Sequence, residues 1–209
     1  MGFYPVFLDM SRRRCVVIGG GPVAERRVHG LLAAGADLTV ISPMVTDRLK
    51  KLAAQGAILH LPRDYEPGDL AGYDLVFVAT DDGAVNQAVF SEAGSRAIWT
   101  NSADDPDNCD FILPAVIRRG GLSVAISTGG RSPATTRAIH EELENYFTPD
   151  YGPLVQIASE VRRELKEKSL AASARAWNEA LKGEIRPLLK EGRGEQAKAL
   201  LLKKLGADP

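Results

Sequence analysis

The segment Arg14 to Ala24, RCVVIGGGPVA, constrains this chain more than any other. An apolar run of strand type ends in Gly19, Gly20 and Gly21, and a good helix-forming stretch follows at once over Pro22 to Ala34. A strand, a glycine turn and a helix in that order leave free N–H groups at the helix start, where the helix dipole favours negative charge. The segment is therefore suited to hold a pyrophosphate. Gly19 would make the tight turn and Gly21 would permit close backbone approach. Ala24, small where the dinucleotide fingerprint accepts Gly or Ala, would let helix pack on strand. Pro22 fits the first helical turn because its missing N–H is not needed there. Plain βα turns also carry such glycines, so the surroundings have to decide.

Those surroundings alternate. Asp37 to Ser42 (DLTVIS) and Asp74 to Thr80 (DLVFVAT) read as further strands, with helix-like stretches at Thr46 to Ala54 and Gly83 to Ala93. Strands separated by helices imply right-handed βαβ units, hence an α/β domain with a Rossmann-like parallel sheet covered on both faces. The carboxylate that binds the adenosine ribose roughly 20 residues after the glycines is missing. Ser42 and Pro43 stand at the end of the second strand, with no arginine immediately beside them to hold a 2′-phosphate. This favours NAD over NADP. Ser42 either meets the ribose or caps the helix starting near Thr46.

Composition narrows the class. A chain of 209 residues with 44% hydrophobic and 25% charged residues and a net charge of -1 is expected to be a soluble globular protein. No apolar stretch approaches a membrane span, and MGFYPVFLDM lacks a basic segment before an apolar one, so the cytoplasm is expected. Residues 151–209 carry 12 Lys+Arg against 8 Asp+Glu, too mild for a nucleic-acid footprint. Cys15, Cys109 and the scattered His29, His60 and His140 have no metal-ligand spacing, so no metal site is expected. Cys15, inside the first strand, reads as a small buried apolar residue.

The α/β pattern ends with strand-like pieces at Ala97 to Asn101 and Phe111 to Ala115. Leu122 to Ser127 is a further strand, followed by a glycine turn and a helix from Pro133 to about Phe147. One strand and one helix bury too little to stand alone, so this segment is expected to pair with a second copy as a homodimer, or else to join the edge of the first sheet. Two prolines in YFTPDYGP mark a boundary. Leu154 to Lys168, Leu170 to Lys182 and Gln196 to Leu205 then read as helices, with Leu154, Ile157, Ala158, Val161 and Leu165 at helical spacing. The expected divisions are 1–113 for the nucleotide-binding domain, 114–148 for the strand-helix dimerisation segment and 149–209 for a helical domain.

Three more blocks bear on chemistry. VATDDGAVN places Thr80, Asp81 and Asp82 at the end of a parallel strand, where ligands bind in open α/β sheets. NSADDPDNCDFILP puts Asp104 and Asp105 in a loop after Asn101, and STGGRSP is a glycine turn feeding a helix N-terminus beside Arg131, a natural carboxylate receptor. Singly, each also serves as helix cap or turn. In this order behind the glycine loop, they resemble the precorrin-2 dehydrogenases. These also form the N-terminal part of siroheme synthases and include bifunctional sirohydrochlorin ferrochelatases. The resemblance runs from Tyr4 to Phe147 through VVIGGGPVAERR, LTVISP, VFVATDD, NSADDPDNCDFILPA and AISTGGRSPA; with no methyltransferase module following, the stand-alone form is expected.

The resemblance implies oxidation of precorrin-2 to sirohydrochlorin with NAD+ as cofactor, for sirohaem or cobalamin, with or without Fe2+ insertion. It implies a tetrapyrrole substrate, with Asp104 as the base and Asp105 as the open alternative. Cofactor contacts are expected at Gly19, Gly21, Pro22, Val23, Ser42, Pro43, Thr80, Asp81 and Asn101. Substrate contacts are expected at Ser127, Thr128, Gly129, Gly130 and Arg131, with Arg118, Arg119 and Arg137 as further partners for its carboxylates. Thr128 stands where siroheme synthases can show serine. A short-chain reductase is argued against, because no tyrosine has a lysine four residues later. The non-enzymatic rival is a regulatory module that senses dinucleotide without turnover.

Overall fold

The computed structural model describes residues 2–103 and 105–207. They form two compact units, Met1–Ile112 and Leu113–Pro209. The first unit runs β1 (Arg14–Ile18), α1 (Pro22–Ala33), β2 (Asp37–Ile41), α2 (Asp47–Ala54), β3 (Leu59–Leu61), β4 (Leu75–Val78), α3 (Gly83–Arg96) and β5 (Trp99–Ser102). The strands are parallel in the order β3-β2-β1-β4-β5. The chain thus builds outward from β1 on one side and returns to β4 on the other. Between β1 and β4 lies the switch point where such sheets open a ligand crevice.

Strand alternation explains why these segments read as unbroken apolar runs. Cys15, Val17, Leu38, Val40, Leu75 and Phe77 pack with Ala24, Val28 and Leu49 on one face. Val16, Ile18, Ile41, Val76 and Val78 meet Val89 and Ala93 of α3 on the other. Both faces are covered, so neither set of side chains alternates with polar residues. Cys15 is fully buried, as its position in β1 implied.

Three details depart from the expected elements. β3 is only LHL, too short to carry a pattern, and is recruited by its parallel register with Thr39 to Ile41. Phe111 begins no strand; it packs edge-on against Phe77, with ring centroids 5.6 Å apart. The cap of α2 is Thr46, whose hydroxyl accepts from the Leu49 N–H at 3.3 Å, so Ser42 does not cap that helix.

In the second unit, β6 (Ala115–Arg119) and β7 (Leu122–Ile126) form an antiparallel hairpin from Ala115 opposite Ile126 to Arg119 opposite Leu122. The strand expected to be alone therefore has its partner in its own chain, and the two form a separate sheet rather than extending the first. Gly120, at φ +56°, supplies the left-handed turn residue that such a two-residue connection demands. Then come α4 (Pro133–Tyr146), α5 (Tyr151–Glu167), α6 (Ala174–Ala180), α7 (Ile185–Lys190) and α8 (Gly194–Lys204). Ile157, Val161 and Leu165 do face a core, shared with Ile185, Leu189 and Leu201. α7 escapes the pattern because Pro187 reads as a breaker. It lies in the first turn, where no intrahelical N–H bond is lost.

Candidate functional site: the glycine turn and the carboxyl ends of the sheet

Each of the three glycines has a different part. Gly19 adopts φ +113°, and a Cβ there would stand 2.2 Å from the Ala79 carbonyl oxygen at the end of β4. A Cβ on Gly20 would stand 2.0 Å from the Met44 carbonyl oxygen, in the connection after β2. Gly21 caps α1, and the place of its Cβ has no heavy atom within 4 Å. The fold itself thus requires Gly19 and Gly20, whereas the space before Gly21 is free for a ligand. Gly20 is a residue that the fingerprint alone did not single out.

The first backbone bond of α1 runs from the Glu25 N–H to the Gly21 carbonyl at 3.0 Å. Pro22 has no N–H, so the amides of Val23 and Ala24 are the helix-start donors that face no described backbone acceptor. Ala24 and Val28 are buried against the sheet. Two N–H groups at the positive end of a helix, beside an open approach, fit a nucleotide pyrophosphate.

Around this turn the other strand ends gather. Ser42 is 8% exposed, and its hydroxyl donates inward to the Met44 carbonyl at 2.7 Å. Pro43 and Met44 are exposed beside it. Thr80 accepts the Asp82 N–H on its hydroxyl and an Asn86 amide N–H on its carbonyl, at 3.2 and 3.1 Å. Asp82 caps α3, accepting from Ala84 and Val85, while Asp81 is exposed. Asn86, which the sequence reading missed, keeps a buried Oδ1 with no hydrogen-bond partner among the described residues.

The loop after β5 is tied at several points. The Ala103 N–H reaches the Val78 carbonyl at 3.2 Å. The Cys109 sulfur accepts from the Ser102 N–H at 3.1 Å and its thiol lies 3.2 Å from the Asp105 carbonyl. Burial pushes the Cys109 thiol up, so it stays protonated at neutral pH and can donate. Asn101 is 5% exposed and donates to the Phe111 carbonyl at 2.9 Å, again with a buried Oδ1 lacking a described partner. The Asp105 carboxylate accepts from the Asn108 amide at 2.7 Å, inside the loop's own turn. Asp104 lies outside the described residues.

In the second unit, the turn after β7 is internally bonded. Ser127 Oγ accepts the Gly129 N–H at 3.0 Å, and Gly129 and Gly130 take φ values of +65° and +80°. The Thr128 hydroxyl accepts from the Ser132 N–H at 3.1 Å and meets Thr136 Oγ1 at 3.0 Å, so it serves the turn. Arg131 and Arg118 are exposed. Arg119 is not free for a ligand, because its guanidinium donates to the Phe147 carbonyl at 2.7 Å and to Glu144. Among the described residues no group of three His, Cys, Asp or Glu could hold a metal, and no helix is long and apolar enough to cross a membrane.

A family model described as "Putative NAD(P)-binding" matches residues 6–115, more than half of the chain. The chain belongs to this NAD(P)-binding family. A second model, "Sirohaem biosynthesis protein central", matches residues 119–146. The siroheme synthase of Chromobacterium violaceum is 38% identical over 209 residues, covering 99% of this chain and 44% of its own length. That of Thioalkalivibrio sulfidiphilus is 38% identical over 207 residues, covering 98% and 42%. The chain therefore spans less than half the length of these relatives. A solved structure of "SirC, precorrin-2 dehydrogenase" matches with a TM-score of 0.76 and 29% identity, over 98% of this chain and 99% of that one. The nucleotide-binding family, the Rossmann-like fold and the sirohaem resemblance expected from the sequence are thus the ones found.

Proposed function

We propose that this chain oxidises precorrin-2 to sirohydrochlorin with NAD+ in sirohaem biosynthesis. The observation that carries the reading is a pyrophosphate cradle, Gly19 to Ala24, in a chain similar end to end to a precorrin-2 dehydrogenase. Precorrin-2 and NAD+ give sirohydrochlorin, NADH and a proton. The bound nicotinamide supplies the hydride acceptor. The chain's own work is to hold the nucleotide and to take the proton. Gly21 and the Val23 and Ala24 amides, behind Pro22, receive the pyrophosphate; Ser42 and Pro43 border the ribose; Thr80, Asp81 and Asn101 border the nicotinamide end.

Asp104 is the base. Asp105 is less suited, because its carboxylate is already bonded to Asn108 within the loop. The turn Ser127 to Arg131 takes substrate carboxylates through the exposed Arg131 and the Gly129–Gly130 backbone, with Thr128 as its internal brace. Fe2+ insertion is a second activity of the same carboxylate, favoured by the relatives named siroheme synthase. The chain works as a homodimer through segment 114–148, with 149–209 as the helical domain. α4 has no buried residue within one copy, and Ile139 and Tyr146 are exposed on it. The site of action is the cytoplasm, where NAD+ is available and Cys15 and Cys109 stay reduced.

Asp104→Asn and Asp105→Asn separate the two carboxylates. The first is expected to keep NAD+ binding and lose roughly 10²- to 10⁴-fold in oxidation rate, the usual worth of a general base. The second is expected to lose far less. Full rate in Asp104→Asn would mean that the proton goes elsewhere.

A further inference from the structure

α1 presents two opposite flanks. On one, Glu25 accepts from the Thr46 hydroxyl at 2.6 Å and from Arg48 at 3.2 Å, so that flank faces the connection after β2. Arg27 follows two residues later, roughly 160° round the helix from Glu25. β4 and β5 lie on the side of β1 opposite β2, so Arg27 is turned toward them and toward the loop after β5. Its charge is felt there, because Arg27 opposes the rise of the Cys109 thiol. Cys109 is the residue bonded to Ser102 and Asp105 in the acidic loop. Long helical side chains lie back over the preceding turn, so the guanidinium is directed past Val23 toward the mouth of the nucleotide turn.

Arg27 is half-buried and has neither a hydrogen bond nor an ion pair among the described residues. Burial first, and then Arg26, lower its guanidinium from the usual value, yet an arginine keeps its charge at neutral pH. Of the loop's described carboxylates, Asp105 is bonded to Asn108, Asp110 accepts the Thr100 N–H at 2.8 Å, and Asp107 is exposed. A cation held partly out of water without a counter-charge is costly, and such groups gather where a ligand brings the missing charge. In the proposed reaction the nucleotide does not bring it, since the Val23 and Ala24 amides meet the pyrophosphate and the oxidised nicotinamide beyond is itself a cation. We propose that Arg27 is a substrate-binding residue that receives a carboxylate of the tetrapyrrole beside the acidic loop. A guanidinium suits that task, because its planar fork matches a carboxylate with two parallel bonds. The contact would fix the macrocycle against the first unit, between the nucleotide turn and the base.

The inference rests on the proposed oxidation of precorrin-2. Anaerobic absorbance titration of sirohydrochlorin, the product, onto the full chain and onto Arg27→Gln, Arg27→Met and Arg27→Lys tests it, beside a titration of NAD+ and the KM and kcat for precorrin-2. Arg27→Gln and Arg27→Met are expected to bind sirohydrochlorin about 10- to 100-fold more weakly, the worth of a charge-assisted contact, with NAD+ affinity unchanged. KM for precorrin-2 should rise by a similar factor with the pH profile of kcat unmoved, and Arg27→Lys should recover most of the affinity. Two apolar or neutral replacements guard against one that fails to fold, and Arg27 makes no described bond for either to break. Wild-type sirohydrochlorin affinity in both replacements overturns the proposal. So does a loss confined to NAD+ affinity, which would make Arg27 a nucleotide contact, or a shifted pH profile at unchanged KM, which would make it a brace for the acidic loop. Wild type that binds sirohydrochlorin but does not oxidise precorrin-2 would overturn the dehydrogenase reading alone, and the binding titration would still judge Arg27. No binding of sirohydrochlorin to wild type overturns both.

Discussion

Gly20 and Gly21 are neighbours of identical chemistry, and replacing each with alanine should separate folding from cofactor binding. At Gly20 the added Cβ would lie 2.0 Å from the Met44 carbonyl oxygen, 2.7 Å from Val45 Cγ1 and 2.9 Å from Ser42 Oγ. Backbone must move, and the bond from the Thr46 N–H to the Gly20 carbonyl, 3.0 Å long, is strained with it. Overpacking of this kind costs roughly 1–3 kcal/mol and a compromised hydrogen bond adds about 1. A total of about 2–4 kcal/mol lowers Tm by roughly 8–15 °C in a unit of this size. At Gly21 the Cβ meets nothing within 4 Å, and the change of cap costs at most about 1 kcal/mol. Its methyl group would occupy the approach to the Val23 and Ala24 amides, so NAD+ affinity should fall at least about tenfold. Calorimetric melting and isothermal titration of NAD+ on both variants give the answer. Equal Tm losses, or wild-type NAD+ affinity in Gly21→Ala, would refute the division of labour.

Two further outcomes follow from burial and charge. Burial, with help from Asp74 and Asp37, pushes the Cys15 thiol up to about 12, so native protein should present only Cys109 to a thiol reagent, and slowly, with both reacting after denaturation. Burial raises the Asp150 carboxyl, but the Thr148 hydroxyl and Arg186, the latter at 2.7 Å, outweigh it and hold it below the usual range. Because the folded value is depressed, the stabilisation is present above the ordinary carboxylate value of 3.8 and is lost as pH falls through the folded value. Tm should therefore begin to drop below about pH 4, and Asp150→Asn should flatten that slope while costing about 2 kcal/mol at neutral pH.

The sheet was legible because parallel strands covered on both faces leave long apolar runs, as VVI, TVI and VFV do here. The glycine turn was legible because backbone sterics allow few alternatives at Gly19. β3 and α7 were not, since three residues carry no period and Pro187 mimics a break. The pairing of β6 with β7 was hidden because the apolar residues of Phe111 to Ala115 resemble a strand, yet Phe111 is spent on Phe77. At the site, residue types pointed to the right blocks but not to who bonds whom. Nothing in the sequence says that Thr128 and Ser42 turn inward, that Cys109 ties its loop, or that Asp69 occupies Arg63, because these depend on contacts made only after folding.

We propose that one nucleotide turn and one acidic loop together remove a hydride and a proton from a tetrapyrrole. The most direct test is anaerobic incubation of the purified chain with NAD+ and precorrin-2, following NADH and the macrocycle spectrum together. One NADH is expected for each sirohydrochlorin formed. Tight NAD+ binding with no NADH and an unchanged macrocycle spectrum would contradict it and point to a chain that senses dinucleotide without turning it over.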